Sequence, residues 1–293
     1  MTSAADRVPA PLLVLAGIVS VQFGGALAAT LVPLIGAGGS VVLRLLFASA
    51  LLLVFVRPRW RGHSHRARLT VIAFGVALGL MNFTFYSSLA HLPIGVAVTI
   101  EFIGPLSLAA ALSRRWLDAV AVAAAAAGVV LISEALSTPF ADLEKTGIAL
   151  ALLAGAFWAA YIVLAGRTGG EFPKLEGLAL AMVVATVVTL PLGITSAPSW
   201  SPDILLKAFG IAVLSSVLPY SLELLALRRL SAKVFGILLS LEPAFAALAG
   251  LLVLGQVLSP TQLVGMALVV AASALVLGLG ARQRPDPAEA AST

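Results

Sequence analysis

Long apolar stretches separated by short polar connections dominate the sequence. A helix needs about 20 apolar residues to cross the ~30 Å hydrocarbon core of a bilayer, and windows of that kind occur ten times. The predicted spans are residues 10–32, 39–56, 69–89, 93–113, 116–134, 147–166, 175–195, 204–226, 232–254 and 260–280. The connections leave no room for a soluble domain. The pattern therefore predicts an all-α polytopic membrane protein with ten transmembrane helices.

Composition supports this class and excludes several others. The 293 residues are 60% hydrophobic and 11% charged, with a mean hydropathy of +1.08, whereas soluble proteins are about 25% charged. The absence of cysteine excludes disulfides and thiolate metal sites. The three histidines lie in connections, and no phosphate-binding, HExxH or GxSxG motif occurs. The sequence thus predicts no metal, no cofactor and no enzymatic activity.

The net charge is +5, and the positions of the Lys and Arg residues follow the predicted membrane topology instead of indicating nucleic-acid binding. Fifteen of the 18 Lys and Arg fall on the N-terminal side of the predicted membrane, two fall on the other side, and Arg44 lies within a span. This bias follows the positive-inside rule. We therefore expect a bacterial inner-membrane protein with both termini in the cytoplasm, lipids as its surroundings and no nucleic-acid partner. Residues 282–293 are expected to be a disordered cytoplasmic tail.

The chain also repeats itself. Residues 92–115, with a carboxylate and a Gly-Pro pair inside an apolar run, have a second copy in residues 230–251 at an offset of 138, so that Pro105 falls on Pro243. Span 6 likewise matches span 1, which argues that span 1 belongs to the fold and is not a cleaved signal peptide. Each copy has five spans, so the copies insert in opposite directions. We predict two inverted five-helix repeats, residues 1–138 and 139–281, with a site between them.

Ionisable residues inside spans are the first candidates for that site, because a charge at this depth costs at least ~2.5 kcal/mol. Glu101 lies about 12 Å below the outer end of its span, at a depth similar to Arg44. Two interpretations stay open: a buried ion pair between them, or a Glu101 that faces a cavity and takes up a substrate ammonium group or a proton. Glu242 lies near the middle of span 9, where Pro243 leaves a carbonyl free, and Ser240 is an alternative cap for it.

Aromatic and amide side chains form the second set of candidates, since lipid cannot satisfy their hydrogen bonds. Asn82, Phe85 and Tyr86 share one face of span 3 by their spacing. Glu223 is interpreted instead as an interfacial partner of Arg228 and Arg229. The candidate substrate-binding residues are Gln22, Phe23, Asn82, Phe85, Tyr86, Glu101, Trp158, Tyr161, Tyr220 and Glu242. Arg44, Pro105 and Pro243 are assigned structural or ion-pair roles.

Several segments resemble a known family, and together they cover essentially the whole chain. VAVTIEFIGPL, GAFWAAYIVLAG and LPYSLE are similar to the EamA branch of the drug/metabolite transporter superfamily, and within it to bacterial inner-membrane exporters of threonine and homoserine. The resemblance implies amino acid export by alternating access through a cavity lined by spans 1, 3, 4, 6, 8 and 9. Related members export aromatic amino acids. The family often has an acidic residue where this chain has Gln256, which leaves proton coupling open.

The sequence leaves four functions to consider for this membrane protein. Export of neutral amino acids, by what we expect to be a monomer with protons as a candidate coupling ion, is the first. Export of other small metabolites or drugs is the alternative and would need a larger, more apolar cavity. A membrane enzyme acting on lipid-linked substrates would need a close His/Asp pair or a metal site. A purely structural membrane protein would not need buried ionisable groups in both halves.

Overall fold

The structure is a computed structural model that describes residues 8–134, 136, 139, 143–254 and 258–281. Helices make up its regular structure, and the described residues contain no strand. The helices are α1 Ala10–Ala29, α2 Val32–Val56, α3 His65–Ser88, α4 Ile94–Ala111, α5 Trp116–Ile132, α6 Lys145–Glu171, α7 Glu176–Gly193, α8 Pro202–Ala212, α9 Leu218–Leu227, α10 Ala232–Leu239, α11 Glu242–Leu254 and α12 Pro260–Ala281. The predicted C-terminal tail, 282–293, and Gln256 lie outside the described residues.

The prediction of a polytopic membrane protein is confirmed. Within the described part of the chain, seven helical segments are long and apolar enough to cross a bilayer. The shorter apolar helices α1 and α5 and the broken pair α10–α11 supply the remaining three of the ten predicted spans. The largest difference is at α2, which begins at Val32 rather than at residue 39. Gly36 there adopts φ +73° and kinks the helix, a conformation that glycine adopts without steric cost.

Predicted span 8 is one continuous helical segment made of three parts. Helices α8 and α9 are joined by a π-helical turn, Val213–Val217, immediately before Pro219. Proline has no N–H to donate to the preceding turn, and a π turn shifts the local hydrogen-bond register. The Ser20 hydroxyl of α1 donates to the Leu214 carbonyl at 2.7 Å. A side chain from the first half of the chain therefore satisfies backbone in the middle of span 8.

Predicted span 9 is broken in the middle. Helix α10 ends at Leu239, and α11 begins at Glu242 with Pro243 in its first turn, a position where the missing N–H costs little. In contrast, α4 runs unbroken through Pro105. Because Pro105 cannot donate, the Glu101 carbonyl four residues earlier loses its usual helical partner. The two corresponding prolines therefore produce different local structures.

Glycines allow the helices to approach closely. A Cβ on Gly104 would lie 1.9 Å from the Gly155 carbonyl oxygen, and one on Gly155 would lie 2.5 Å from the Glu101 carbonyl oxygen. Helices α4 and α6 thus touch backbone to backbone, as small residues permit in lipid. Gly128 of α5 and Gly265 of α12 meet in the same way, each with its virtual Cβ 2.8 Å from the other's carbonyl oxygen.

Candidate functional site

A hydrogen-bonded cluster in the interior of the bundle joins three of the predicted site residues to Arg44. The guanidinium of Arg44 (α2) donates to the Asn82 carboxamide oxygen and, at 3.2 Å, to the Tyr86 hydroxyl, both on α3. Its carbon also lies 5.1 Å from the centre of the Tyr86 ring. The amide nitrogen of Asn82 donates to the Tyr220 hydroxyl (α9) at 3.0 Å. This cluster links the first half of the sequence to the second.

Rings and a carboxylate continue the cluster. The Tyr220 ring lies 5.6 Å from the Tyr161 ring, centre to centre, and the Tyr161 hydroxyl donates to Glu223 at 2.6 Å. Glu223 and Tyr161 are both buried. Phe74 packs against the other side of the Tyr161 ring, with centroids 5.5 Å apart. The buried hydrogen bond satisfies two groups that lipid could not satisfy.

Two further carboxylates extend this cluster, first that of Glu242 and beyond it that of Glu101. Glu242, at the break between α10 and α11, interacts electrostatically with Glu223 and with Glu101. Glu101 is buried on α4, and none of the described residues forms an ion pair or hydrogen bond with its carboxylate. The Gln22 amide of α1 reaches the Glu242 backbone carbonyl at 3.5 Å. We call the connected set the polar network: Arg44, Asn82, Tyr86, Tyr161, Tyr220, Glu223, Glu242 and Glu101.

The structure places the other predicted residues around this network in different ways. Trp158 is buried and stacks edge to face on Phe102, the neighbour of Glu101, at 4.8 Å. Phe85, predicted to share a face with Asn82 and Tyr86, contacts the Tyr86 ring at 6.1 Å but packs in a separate apolar cluster around Leu92. Phe23 is 60% exposed, on the same outer side of α1 as Leu12 and Val19.

Besides the placement of Phe23, which was expected in the site and is exposed, three interpretations from the sequence require correction. Arg44 does not pair with Glu101, because its described partners are Asn82 and Tyr86. Glu223 binds the Tyr161 hydroxyl in the interior instead of acting as the expected interfacial partner of arginines. The Ser240 hydroxyl donates to the Ile237 carbonyl at 2.6 Å and so does not cap Glu242.

Sequence reasoning missed Glu223 as an interior residue and Arg44 as part of the polar cluster. A signal for Glu223 existed: it lies three residues after Tyr220, and residues at that spacing share a helix face. For Arg44, its position in the predicted span indicates a depth in the membrane but no direction around the helix. Its pairing with α3 depends on how α2 packs, which the local sequence does not specify.

An ion pair joins the two halves at the arginine-rich end of the bundle. Lys233, at the start of α10, contacts Asp118, at the start of α5, at 2.7 Å. The Asp118 side chain is only 3% exposed. At the opposite end, His91 and Glu144 pair at 2.8 Å with largely solvent-exposed side chains. Buried ion pairs resist separation more strongly than exposed ones, so the two ends of the bundle are held differently.

Three cavities are lined by described residues outside the network. One of about 430 Å³ opens between α4 and α6, and one of about 360 Å³ lies against the start of α10. A third, of about 310 Å³, is next to Glu134 and Thr261. None of these three is lined by Arg44, Asn82, Glu101 or Glu242. None of the three is therefore the interior cavity expected from the sequence. The side chains of Arg44, Asn82 and Glu101 are buried in this structure.

Comparisons with known proteins give this geometry a family context. Residues 145–278 match the profile of the EamA-like transporter family. The chain is 39% identical over 264 residues to the threonine/homoserine exporter RhtA of Escherichia coli (strain K12), covering 89% of this chain and 88% of that one. It is also 39% identical over 265 residues to RhtA of Salmonella typhimurium (strain LT2), covering 89% of each.

The fold also has a counterpart among solved structures. A chain described only as a crystal structure of a protein superposes with a TM-score of 0.70, covering 93% of this chain and 98% of its own length. The two sequences are 18% identical. At that identity, the likeness concerns the fold alone.

Proposed function

Since the chain belongs to the EamA-like transporter family, we propose that it exports neutral amino acids of the threonine and homoserine type from the cytoplasm across the bacterial inner membrane. We propose that the substrate range of the same site extends to aromatic amino acids. The polar network is the observation that carries this proposal. It places one guanidinium, three carboxylates and several aromatic rings inside a bundle that is otherwise apolar. Ionisable groups inside a membrane are costly and mark substrate or ion pathways.

The chemistry of the network suits a small zwitterion. The carboxylates of Glu101 and Glu242 can receive an ammonium group, while Tyr and Trp rings can cover a short apolar side chain. Among the described residues, neither carboxylate has an ion-pair or hydrogen-bond partner, and Glu101 is the more deeply buried of the two. An exporter of large apolar compounds would not need such closely placed charges. The polar network thus favours amino acids over the alternative substrates, namely other small metabolites or drugs.

We further propose that residues 1–138 and 139–281 are inverted repeats. The offset of 138 pairs Asn82 with Tyr220, and these two residues hydrogen-bond to each other. Equivalent residues can touch only next to a symmetry axis. The equivalent helix pairs α2–α7, α4–α10 and α5–α12 also contact each other directly. The α2–α7 pair is antiparallel, because Gly38 lies near Gly193 and Arg59 lies near Glu176. The α5–α12 pair is also antiparallel, because Gln262 at the start of α12 contacts Ile132 at the end of α5. A two-fold axis in the membrane plane accounts for all of these contacts.

Alternating access follows from this arrangement if the halves rock about the network. The Asp118–Lys233 pair closes the end that the positive-inside rule assigns to the cytoplasm. At offset 138, the equivalent positions are Gln256 and Gly95, neither of which is charged. We propose that the pair is a cytoplasmic latch. Because both halves of the network come from one chain, a monomer is sufficient for transport.

Protons are a candidate coupling ion, since a carboxylate that receives an ammonium group can carry a proton on the return step. Glu101 and Glu242, which interact electrostatically with each other, are the carboxylates that we propose take up such a proton. Whether transport uses a pH gradient is decided by comparing liposomes with and without one. A rate that is independent of the gradient would leave substrate-driven facilitated diffusion.

Export from intact cells tests the proposed function. Cells lacking their own exporters are loaded with threonine or homoserine, and the amino acid that appears outside is measured with the protein present and absent. We expect export with the wild type and at least a tenfold lower rate with Glu101→Gln at equal protein level, as for a group that contacts the transported species. Unchanged export by Glu101→Gln would remove Glu101 from the mechanism. No export by the wild type would contradict the proposed substrate class.

A further inference from the structure

Arg44 is a buried cation whose described partners are all neutral. Its side chain is on α2 and the residue is 5% exposed. The guanidinium donates to the Asn82 carboxamide and the Tyr86 hydroxyl, and it lies over the Tyr86 ring. None of the described acidic side chains forms an ion pair with Arg44. The charge is therefore held in the interior without a carboxylate in contact.

One donor of the guanidinium is also left over. The Nε–H of Arg44 is buried and has no hydrogen-bond partner among the described residues. An unsatisfied buried donor in native structures calls for an explanation, and a functional role is one of the known ones. A guanidinium presents its donors as a planar fork that matches a carboxylate with two parallel hydrogen bonds. Such bonds are about twice as strong as those to neutral acceptors.

We propose that Arg44 binds the carboxylate of the transported amino acid, which displaces the Tyr86 hydroxyl from the guanidinium. This inference rests on the proposed function and assigns one of its two charged ends. Tyr86 is the displaceable partner because it is half-buried and bonds at 3.2 Å, whereas Asn82 is anchored to the Leu78 carbonyl and to Tyr220.

A structural role gives a different expectation. If Arg44 only held α2 against α3, the protein would transport substrates with and without a carboxylate at similar rates. Threonine and threonine amide, which differ in that group alone, separate the two roles. A carboxylate site rejects the amide because the guanidinium is then left without its ionic partner.

The experiment measures uptake of labelled threonine and of threonine amide into liposomes containing the full-length purified protein. We expect the wild type to prefer threonine by at least about tenfold. Arg44→Gln should lower threonine uptake by at least about tenfold and bring the two substrates within about twofold of each other. Arg61→Gln, which changes an exposed loop arginine, is the matched control and should keep the wild-type preference.

Tyr86→Phe provides a second, milder test that does not depend on the folding of Arg44 variants. Removing the competing hydroxyl should lower the KM for threonine by up to about fivefold, the equivalent of one ordinary hydrogen bond, and leave the KM for the amide unchanged. Equal wild-type transport of acid and amide would overturn the proposal. So would an Arg44→Gln protein that keeps the preference, or a Tyr86→Phe protein whose two KM values change together. Failure of the wild type to transport threonine at all would instead contradict the proposed function and this inference with it.

Discussion

The polar network depends on how single side chains satisfy one another away from water. Glu223 is buried next to Tyr161, and the phenol hydroxyl is its described hydrogen-bond donor. A polar group left alone in an apolar interior costs about 1–3 kcal/mol. The same reasoning applies to Asn82, whose amide has partners on two helices. Each of these residues therefore contributes to stability as well as to the shape of the site.

Removing the Tyr161 hydroxyl should show how much its hydrogen bond to Glu223 contributes to the stability of the protein. We expect Tyr161→Phe to destabilise the detergent-solubilised protein by about 1–3 kcal/mol, because Glu223 loses its donor. In a Glu223→Leu background, the same change should cost less than about 0.5 kcal/mol, since no acceptor remains. Thermal unfolding of the four proteins measures both effects. Equal costs in the two backgrounds would show that the hydroxyl contributes elsewhere.

Backbone contact between α4 and α6 is the second residue-scale feature. Gly155→Ala should destabilise the protein by about 1–3 kcal/mol, because the new methyl group would meet the Glu101 carbonyl oxygen at 2.5 Å. Gly166→Ala is the matched control on the same helix: its methyl group would meet nothing within 4 Å. Thermal unfolding compares the two. A Gly155→Ala protein as stable as Gly166→Ala would contradict the close approach.

At the scale of elements, three prolines divide the helices into rigid and adjustable parts. Pro105 lies inside an unbroken α4, Pro219 follows a π turn, and Pro243 begins α11 after a break. The break at α10–α11 places Glu242 where the helix is discontinuous. Discontinuous helices supply binding sites and hinges in transporters. Helix α10, which carries Lys233 at its start, is therefore the element best placed to move when the latch opens.

Opening the latch should be detectable with a single cysteine, because the chain has none of its own. We place the reporter at Ala109, which is fully buried on α4 against Gly236 of α10. Asp118→Asn should increase its rate of labelling from the cytoplasmic side at least about tenfold, since unpairing a buried ion pair costs more than ~1.4 kcal/mol.

Glu144→Gln is the control for this measurement, because it breaks the exposed His91 pair at the opposite end, and it should leave the labelling rate unchanged. A reporter that reacts equally fast with and without Asp118→Asn would mean that the Asp118–Lys233 pair does not hold that end closed.

For the whole molecule, the organising feature that we propose is a repeat at an offset of 138 between the two halves. It was visible in the sequence, together with the ten spans and the polar residues Asn82, Tyr86 and Tyr220. The direction each side chain takes was harder to predict, because α1 and α2 are apolar on almost all sides and no polar face fixes their rotation. This is why Phe23 was expected inside and lies on the outer side, and why the partners of Arg44 were missed.

The topology of the whole molecule gives a prediction of its own. Single cysteines at Arg61 and at Glu144, both exposed and in opposite end regions of the bundle, should be labelled by a membrane-impermeant maleimide from opposite sides. Arg61→Cys should react only after the cells are permeabilised, whereas Glu144→Cys should react in intact cells. Both cysteines reacting from the same side would contradict the odd number of spans in the first half.

Counterflow of labelled homoserine into liposomes that contain only the purified protein tests the central claim most directly. Liposomes preloaded with unlabelled homoserine should accumulate the labelled amino acid transiently with the wild type. With Glu101→Gln at the same protein density, accumulation should fall at least about tenfold. Gly166→Ala should behave as the wild type. Wild-type liposomes that accumulate no more label than protein-free ones would contradict an amino acid transporter built around this polar network.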